Sequence, residues 1–349
     1  TFLSNRYASL DDGTSADTLN SIKPCQQSSS LSDEAALKLV MFEVHQQTRL
    51  GVLEAGMIVD LACAHELCRS KLRGNVRPPE TFPQTIIDFV ELGEDIKEYV
   101  SELATHARGL VGESPSEGNQ SMLWSIHGVR ALPPVPCPPK IICVGLNYRD
   151  HAEEAQVPIP DRPILFSKPS TAIIGPDDPV VYPRISSQVD HEVERAVIIG
   201  KGGKDVAESE AFDHVAGYTV FNDTSARDIQ FADKQWFRGK SFDTFAPTGP
   251  YLVLKDQVID PNRLKMELRV NREVRQNSTT ANMVFKIPQL IAFISKVMTI
   301  QLGDIVATGT PAGVGFYDKP EKKLLKPGDV VEAQIEGLGI LRNRVVRAG

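Results

Sequence analysis

Two carboxylates two residues apart, Glu192 and Glu194, sit in the run Val189-Asp190-His191-Glu192-Val193-Glu194-Arg195-Ala196-Val197-Ile198-Ile199-Gly200. The β-branched apolar end of that run reads as a strand with a buried far end. Side chains at i and i+2 of a strand share a face, so the two carboxylates point the same way. Like charges held that close repel unless a cation lies between them. Hard divalent ions take oxygen ligands, which makes Mg²⁺, Mn²⁺ or Ca²⁺ the natural occupant. An isolated Glu-x-Glu is commonly a solvated face. A second acidic signal, Phe221-Asn222-Asp223-Thr224-Ser225-Ala226-Arg227-Asp228, follows the apolar run 215–221 and puts Asp223 where a strand yields to a loop. Three carboxylates converging from two strands would half fill an octahedral site.

Three further strings bear on chemistry. In Tyr148-Arg149-Asp150-His151-Ala152-Glu153-Glu154 a helical turn would bring His151 and Glu154, at i and i+3, face to face. A carboxylate beside an imidazole fixes its tautomer and raises its basicity, as a general base needs. Arg238-Gly239-Lys240-Ser241 looks like part of a phosphate loop, but the glycine required five residues before Gly239 is Lys234, and that reading fails. Lys240, flanked by aromatic residues, reads instead as a partly buried amine aimed at a developing oxyanion. Thr308-Gly309-Thr310-Pro311-Ala312-Gly313-Val314-Gly315 is a glycine-rich turn after a strand, suited to presenting backbone N–H groups to a carboxylate or phosphate, and it lacks the glycine order of a dinucleotide site.

The elements that must carry these groups are legible as well. Strand-like runs at 39–44, 49–53 and 57–61, then a helical pattern over 85–110, form a small α/β module at 37–131. Its Cys63-x-His65-x-x-Cys68 has no second pair, and zinc is not expected there. The proline-dense segment 132–140 reads as a linker. From 141 to 349 short strands are punctuated by Gly and Pro, with a clear helix at 287–297. This is a mainly β chain with inserted helices (α+β), without the alternation of a βαβ fold. Residues 1–36 read as a disordered polar tail and 112–120 as a polar loop. The chain starts at Thr1, so a trimmed natural N-terminus is expected, and targeting is not legible in this segment.

With 349 residues, 41% of them hydrophobic, the chain is long enough for a large core. Its net charge of −7 argues against nucleic acid and anionic membrane surfaces as partners. No apolar run reaches the ~18 residues of a membrane span. Five irregularly spaced cysteines fit a reducing compartment.

Five strings, in order, resemble the fumarylacetoacetate hydrolase superfamily: Gly145-Leu146-Asn147-Tyr148-x-x-His151, Phe166-Ser167-Lys168-Pro169-Ser170, Asp190-His191-Glu192-Val193-Glu194, Asn222-Asp223-x-Ser225-Ala226-Arg227-Asp228, and Thr308-Gly309-Thr310-Pro311-x-Gly313-Val314-Gly315. The resemblance covers about 138–347 and is closest to the domain-containing protein 2 branch. It implies a mixed β-roll of the fumarylacetoacetase C-terminal type, usually dimeric, with Mg²⁺ or Mn²⁺ on Glu192, Glu194 and Asp223. It also implies a lid dyad of His151 and Glu154, an active-site Lys240, and a pocket where Thr310 holds a substrate carboxylate and Arg227 and Gln230 line the wall. Two departures stand out: Arg195 replaces a residue that is usually apolar, and Leu146 replaces what is often Arg. The implied substrate is a small β-keto or α-keto acid whose enolate the metal stabilises. Oxaloacetate keto–enol tautomerisation is the leading reaction. C–C hydrolysis of acylpyruvate or fumarylacetoacetate type, or oxaloacetate decarboxylation, is the alternative, and a catalytically silent binding protein ranks below them. The resemblance also implies a mitochondrial location, a cytoplasmic one being the alternative, and a homodimer.

Overall fold

A computed structural model describes residues 37–69, 72, 78–109 and 121–349. The expected polar tail at 1–36 and polar loop at 112–120 lie outside the described residues. The first part supplies β1 (Lys38–Val44), β2 (Gln47–Glu54), β3 (Met57–Asp60), α1 (Leu61–Cys68), α2 (Ile86–Glu91), α3 (Glu94–Gly109), β4 (Leu123–Ser125) and β5 (Arg130–Leu132). Then come β6 (Ile141–Gly145), α4 (Arg149–Ala155), β7 (Ile164–Lys168), β8 (Ile173–Ile174), β9 (Val180–Tyr182), β10 (Val189–Asp190), β11 (Val193–Ile199), β12 (Val215–Asn222) and β13 (Ser225–Ala226). The chain continues with α5 (Arg227–Ala232), α6 (Phe237–Lys240), β14 (Ala246–Leu254), β15 (Lys265–Val270), β16 (Glu273–Thr279), α7 (Ile287–Val297), β17 (Ile305–Ala307), β18 (Val330–Ile335) and β19 (Gly339–Arg347).

A large sheet in the order β4-β3-β2-β1-β14-β12-β11-β17-β6-β7 forms the middle layer, with β5 on β1 and β8 on β14. It crosses the proline-rich segment, because β1 pairs with β14 at Lys38↔Val253. A second sheet, β16-β15-β18-β19-β9, packs over part of it, and β10 pairs with β13. The sheets are mixed and do not close into a barrel, as expected of a mainly β fold with inserted helices.

Burial explains the strand compositions. Every residue of β11 and β12 is buried, and a strand covered on both faces reads as a continuous apolar run. Val193, Val197 and Ile199 join the core shared with the second sheet and α7. Ala196 and Ile198 join the core shared with α1, α2 and α3. By contrast β18 and β19 bury alternate residues, Val331, Ala333 and Ile335 on one and Leu341, Asn343 and Val345 on the other. Helix α7 buries Ile287, Leu290, Ile291 and Ile294, an i, i+3, i+4, i+7 stripe. The helix expected over 85–110 is two helices, because Gly93 takes a left-handed φ of 77° between α2 and α3.

Candidate active site

The run expected as one strand from Val189 is broken. Asp190 ends β10, His191 and Glu192 bridge to the large sheet, and Val193 opens β11. Glu192 is nevertheless held in register, since its N–H donates to Asn222 Oδ1 at 2.9 Å and its carbonyl accepts from Asp223 N at 2.9 Å. Those two bonds put Asp223 beside the carboxylate pair. Glu192, Glu194 and Asp223 are all buried, and one oxygen from each lies within 4.8 Å of the others.

Cations surround this acidic cluster. Lys240 on α6 donates to Glu192 Oε2 at 2.7 Å and to Asp223 Oδ2 at 2.8 Å. Arg227, at the start of α5, faces Glu192 Oε1 at 2.6 Å, donates from Nε to Asp190 Oδ2 at 2.8 Å and from Nη1 to Gln230 Oε1 at 3.1 Å. Lys168, ending β7, donates to Asp223 Oδ1 at 2.6 Å and to the Thr224 carbonyl at 3.1 Å. Burial alone would raise the Glu192 carboxyl, but Lys240 and Arg227 hold it down at about 2. Glu194 moves the other way: burial, then the neighbouring Asp223 and Glu192 charges, raise it well above an ordinary carboxyl. The two lysines also diverge. Burial lowers Lys168 and Lys240 repels it, whereas Lys240 has two carboxylate partners that outweigh its own burial and raise it.

The glycine-rich turn closes over the acids. Gly309, at φ 94°, donates its N–H to Glu194 Oε2 at 2.8 Å, and a Cβ there would lie 2.9 Å from Asn147 Cβ. Both the left-handed backbone and the close approach require glycine. The Thr310 hydroxyl donates to the Val193 carbonyl at 3.0 Å and accepts from Gln276 Nε2 at 2.8 Å. On the facing side, α4 carries His151, whose Nδ1 lies 3.1 Å from Glu154 Oε2, while Glu154 Oε1 accepts from Gly313 N at 2.8 Å. The helical i, i+3 pair is therefore docked on the turn.

A cavity of about 220 Å³ is lined by His151, Glu192, Glu194, Arg227, Gln230, Lys240 and Thr310 on its polar side, and by Leu146, Val157, Phe166, Phe231, Trp236 and Tyr317 elsewhere. Asp223 and Glu154 stand directly behind this lining, on Lys240 and His151 respectively. All nine residues singled out in the sequence thus meet at one place. Arg195 does not; it points through the opposite face of β11 onto the Tyr218 ring. Sequence reasoning assigned nothing to Lys168 or Asp190. Both lay inside strings quoted for the resemblance, yet only the fold shows that Lys168 faces Asp223 and that Asp190 accepts from Arg227, His191 N, Gly315 N and Phe316 N.

Known proteins resemble this chain in sequence and in fold. Oxaloacetate tautomerase FAHD2B, mitochondrial, of Homo sapiens is 48% identical over 268 residues, 76% of this chain and 81% of that one. Oxaloacetate tautomerase fahd2, mitochondrial, of Xenopus laevis is 42% identical over 323 residues, 91% of this chain and 92% of its own. Among solved structures, maleylpyruvate hydrolase from Sphingobium sp. SYK-6, in complex with manganese(II) and pyruvate, superposes with a TM-score of 0.66 at 32% identity, covering 90% of this chain and all of that one. Residues 140–346 match the family described as fumarylacetoacetate (FAA) hydrolase, C-terminal, and the chain belongs to that family.

Proposed function

We propose that this protein is a divalent-metal-dependent oxaloacetate keto–enol tautomerase. The observation that carries the reading is the buried triad of Glu192, Glu194 and Asp223 sharing one cavity with Lys240, Arg227 and the His151–Glu154 pair. The tautomerase relatives support the choice of substrate, and the manganese–pyruvate complex of a structural neighbour supports an α-keto acid beside a metal.

The donor set suits Mg²⁺ or Mn²⁺: three oxygens within 4.8 Å, no sulfur or nitrogen, and a carboxyl at Glu194 that burial, then the neighbouring Asp223 and Glu192 charges, push up. A divalent ion held there supplies a Lewis acid to the α-keto acid head of the substrate. The chain's own groups do the rest. His151, its ring oriented by Glu154, exchanges a proton with C3 of the substrate. The Lys240 ammonium steadies the negative charge that develops on the C2 oxygen. Arg227, Gln230 and the Thr310 turn hold the carboxylate ends, and α4 excludes water while it stays docked through Glu154.

Ultraviolet absorbance of enol-oxaloacetate, followed with and without Mg²⁺ or Mn²⁺ and beside acetylpyruvate cleavage, tests the reading. Fast metal-dependent ketonisation with slow acetylpyruvate cleavage is the expected result. Efficient pyruvate release from acylpyruvates without faster ketonisation reverses the assignment in favour of C–C hydrolysis, a second reading that rests on the same His151–Glu154 pair acting on water. The proposal extends to a mitochondrial location, supported by the names of the relatives, and to a homodimer, supported by the family resemblance and checked by sedimentation.

A further inference from the structure

The side chains assigned to chemistry come from the large sheet, the segments that adjoin its strand ends and the helices beside it. One polar side chain of the second sheet nevertheless reaches the site. Gln276 lies on β16, the edge strand, and has no exposed surface. The β15–β16 register slips between Leu268↔Gln276 and Arg269↔Val274, which leaves Arg275 as an extra residue. Such a bulge re-aims the next side chain, and here it turns Gln276 toward β11. Its Oε1 accepts from Val193 N at 2.9 Å, and its Nε2 donates to Thr310 Oγ1 at 2.8 Å and to the Pro311 carbonyl at 2.9 Å.

The chemistry of the partners fixes the orientation of this amide. Val193 N–H can only donate and the Pro311 carbonyl can only accept, so a flipped amide would lose both bonds. Val193 is also the residue between the two carboxylates. Gln276 therefore ties the backbone of the acidic strand to the Thr310 turn, and it commits the Thr310 hydroxyl hydrogen to the Val193 carbonyl. The same turn packs on the bulge, since a Cβ on Gly313 would meet the Arg275 carbonyl at 2.1 Å. Two residues along, Ser278 donates to Asp150 Oδ2 at the start of α4.

We propose that Gln276 is a positioning residue that sets the Thr310 turn against the carboxylate strand and so fixes where the carboxylate end of an α-keto acid sits. This rests on reading the cavity as an α-keto acid site. The acidic end of β11 is held by β12, through Val193↔Asn222 and Glu194↔Phe221, and Glu192 by Asn222 and Asp223 N, while β17 pairs further along at Ala196–Ile198, so losing Gln276 frees the turn and leaves the acidic cluster in place.

The test is Gln276→Met, which keeps the volume and removes all three bonds. Mn²⁺ affinity, read by calorimetry, stays within about threefold of wild type, while pyruvate binds the Mn²⁺-loaded protein about tenfold more weakly. In the metal-free protein the amides of 308–315 exchange hydrogen faster. Because Gln276 acts through Thr310, the pyruvate-binding losses of Gln276→Met and Thr310→Val are less than additive; a residue that merely stabilised the fold would shift melting and leave the losses additive. If the Met variant does not fold, Gln276→Glu, which keeps an acceptor for Val193 N–H and loses the donors, must show the same loss. Unchanged pyruvate affinity with wild-type exchange, or full additivity, overturns the proposal. Should wild type bind pyruvate yet fail to speed ketonisation, the tautomerase reading falls while these binding and exchange results still decide the role of Gln276.

Discussion

The two faces of β11 bury charge in opposite ways. On one face Glu194 joins Glu192 and Asp223, and Lys168, Lys240 and Arg227 close around the acids. One residue on, Arg195 passes through the other face, fully buried, with no carboxylate among the described residues within ion-pair distance. Its guanidinium donates to the Pro261 carbonyl and to the Met283 sulfur, and Nε has no partner among the described residues. Burial accordingly lowers its pKa, with only partial compensation from Tyr148, Tyr218 and Asp260. The acidic face is a cluster of strongly coupled charges beside a cavity. The Arg195 face is a lone cation solvated by a carbonyl, a sulfur and a ring. The contrast separates charge arranged for a ligand from charge merely tolerated by packing.

The largest effect that would break this contrast comes from Glu194→Ala. Metal-dependent turnover should vanish and calorimetry should detect no Mn²⁺ binding, with circular dichroism unchanged, because two carboxylates cannot replace the triad. Retained metal affinity in that variant removes the triad from the site.

Next comes His151→Ala, which leaves the acidic face intact and should lower turnover by roughly a hundredfold while Mn²⁺ still binds. Near-normal turnover would return His151 and Glu154 to a purely structural contact on the turn.

A smaller effect is pH-linked, and its sign differs for the two glutamates. The folded pKa of Glu192, about 2 against an ordinary 4.5, is depressed, so its contribution to stability is present above 4.5 and is lost as pH falls through about 2. Glu194 is raised, so the metal-free folded chain binds the extra proton and loses stability as pH climbs from 4.5 through that raised value. Metal binding at a pH below that value should therefore release about one proton, seen as a dependence of the binding heat on buffer ionisation enthalpy. Glu194→Gln should flatten the stability loss of the metal-free protein. A binding heat that stays independent of buffer at every pH above 4.5 at which the protein is folded contradicts a raised Glu194.

The smallest effect belongs to the other face. Arg195→Met should leave turnover within about threefold and make the protein as stable or up to ~2 kcal/mol more stable in urea melts, since removing an unpaired buried charge relieves its desolvation. A large loss of turnover would show that the two faces are coupled.

Much of the chemistry was legible before folding. Two-residue parity aligned Glu192 with Glu194, helical spacing paired His151 with Glu154, and apolar patterning marked β12 and α7. These patterns are local, and a few residues of side-chain type suffice to express them. Strand β16 carries no such pattern: its sequence, Glu-Val-Arg-Gln-Asn-Ser-Thr, buries a polar residue, Gln276, in place of an apolar alternation. The break at His191–Glu192 was equally hidden, since an unpaired residue and a paired one carry the same side chains. Only the tertiary structure decided that Lys168 faces Asp223 across 55 positions, that Thr310 meets Gln276, and that β1 completes the sheet at β14. Those contacts are made largely by backbone pairing and by long side chains reaching across layers. Backbone groups are the same in every residue but proline, so side-chain types do not say which distant strand will be the neighbour.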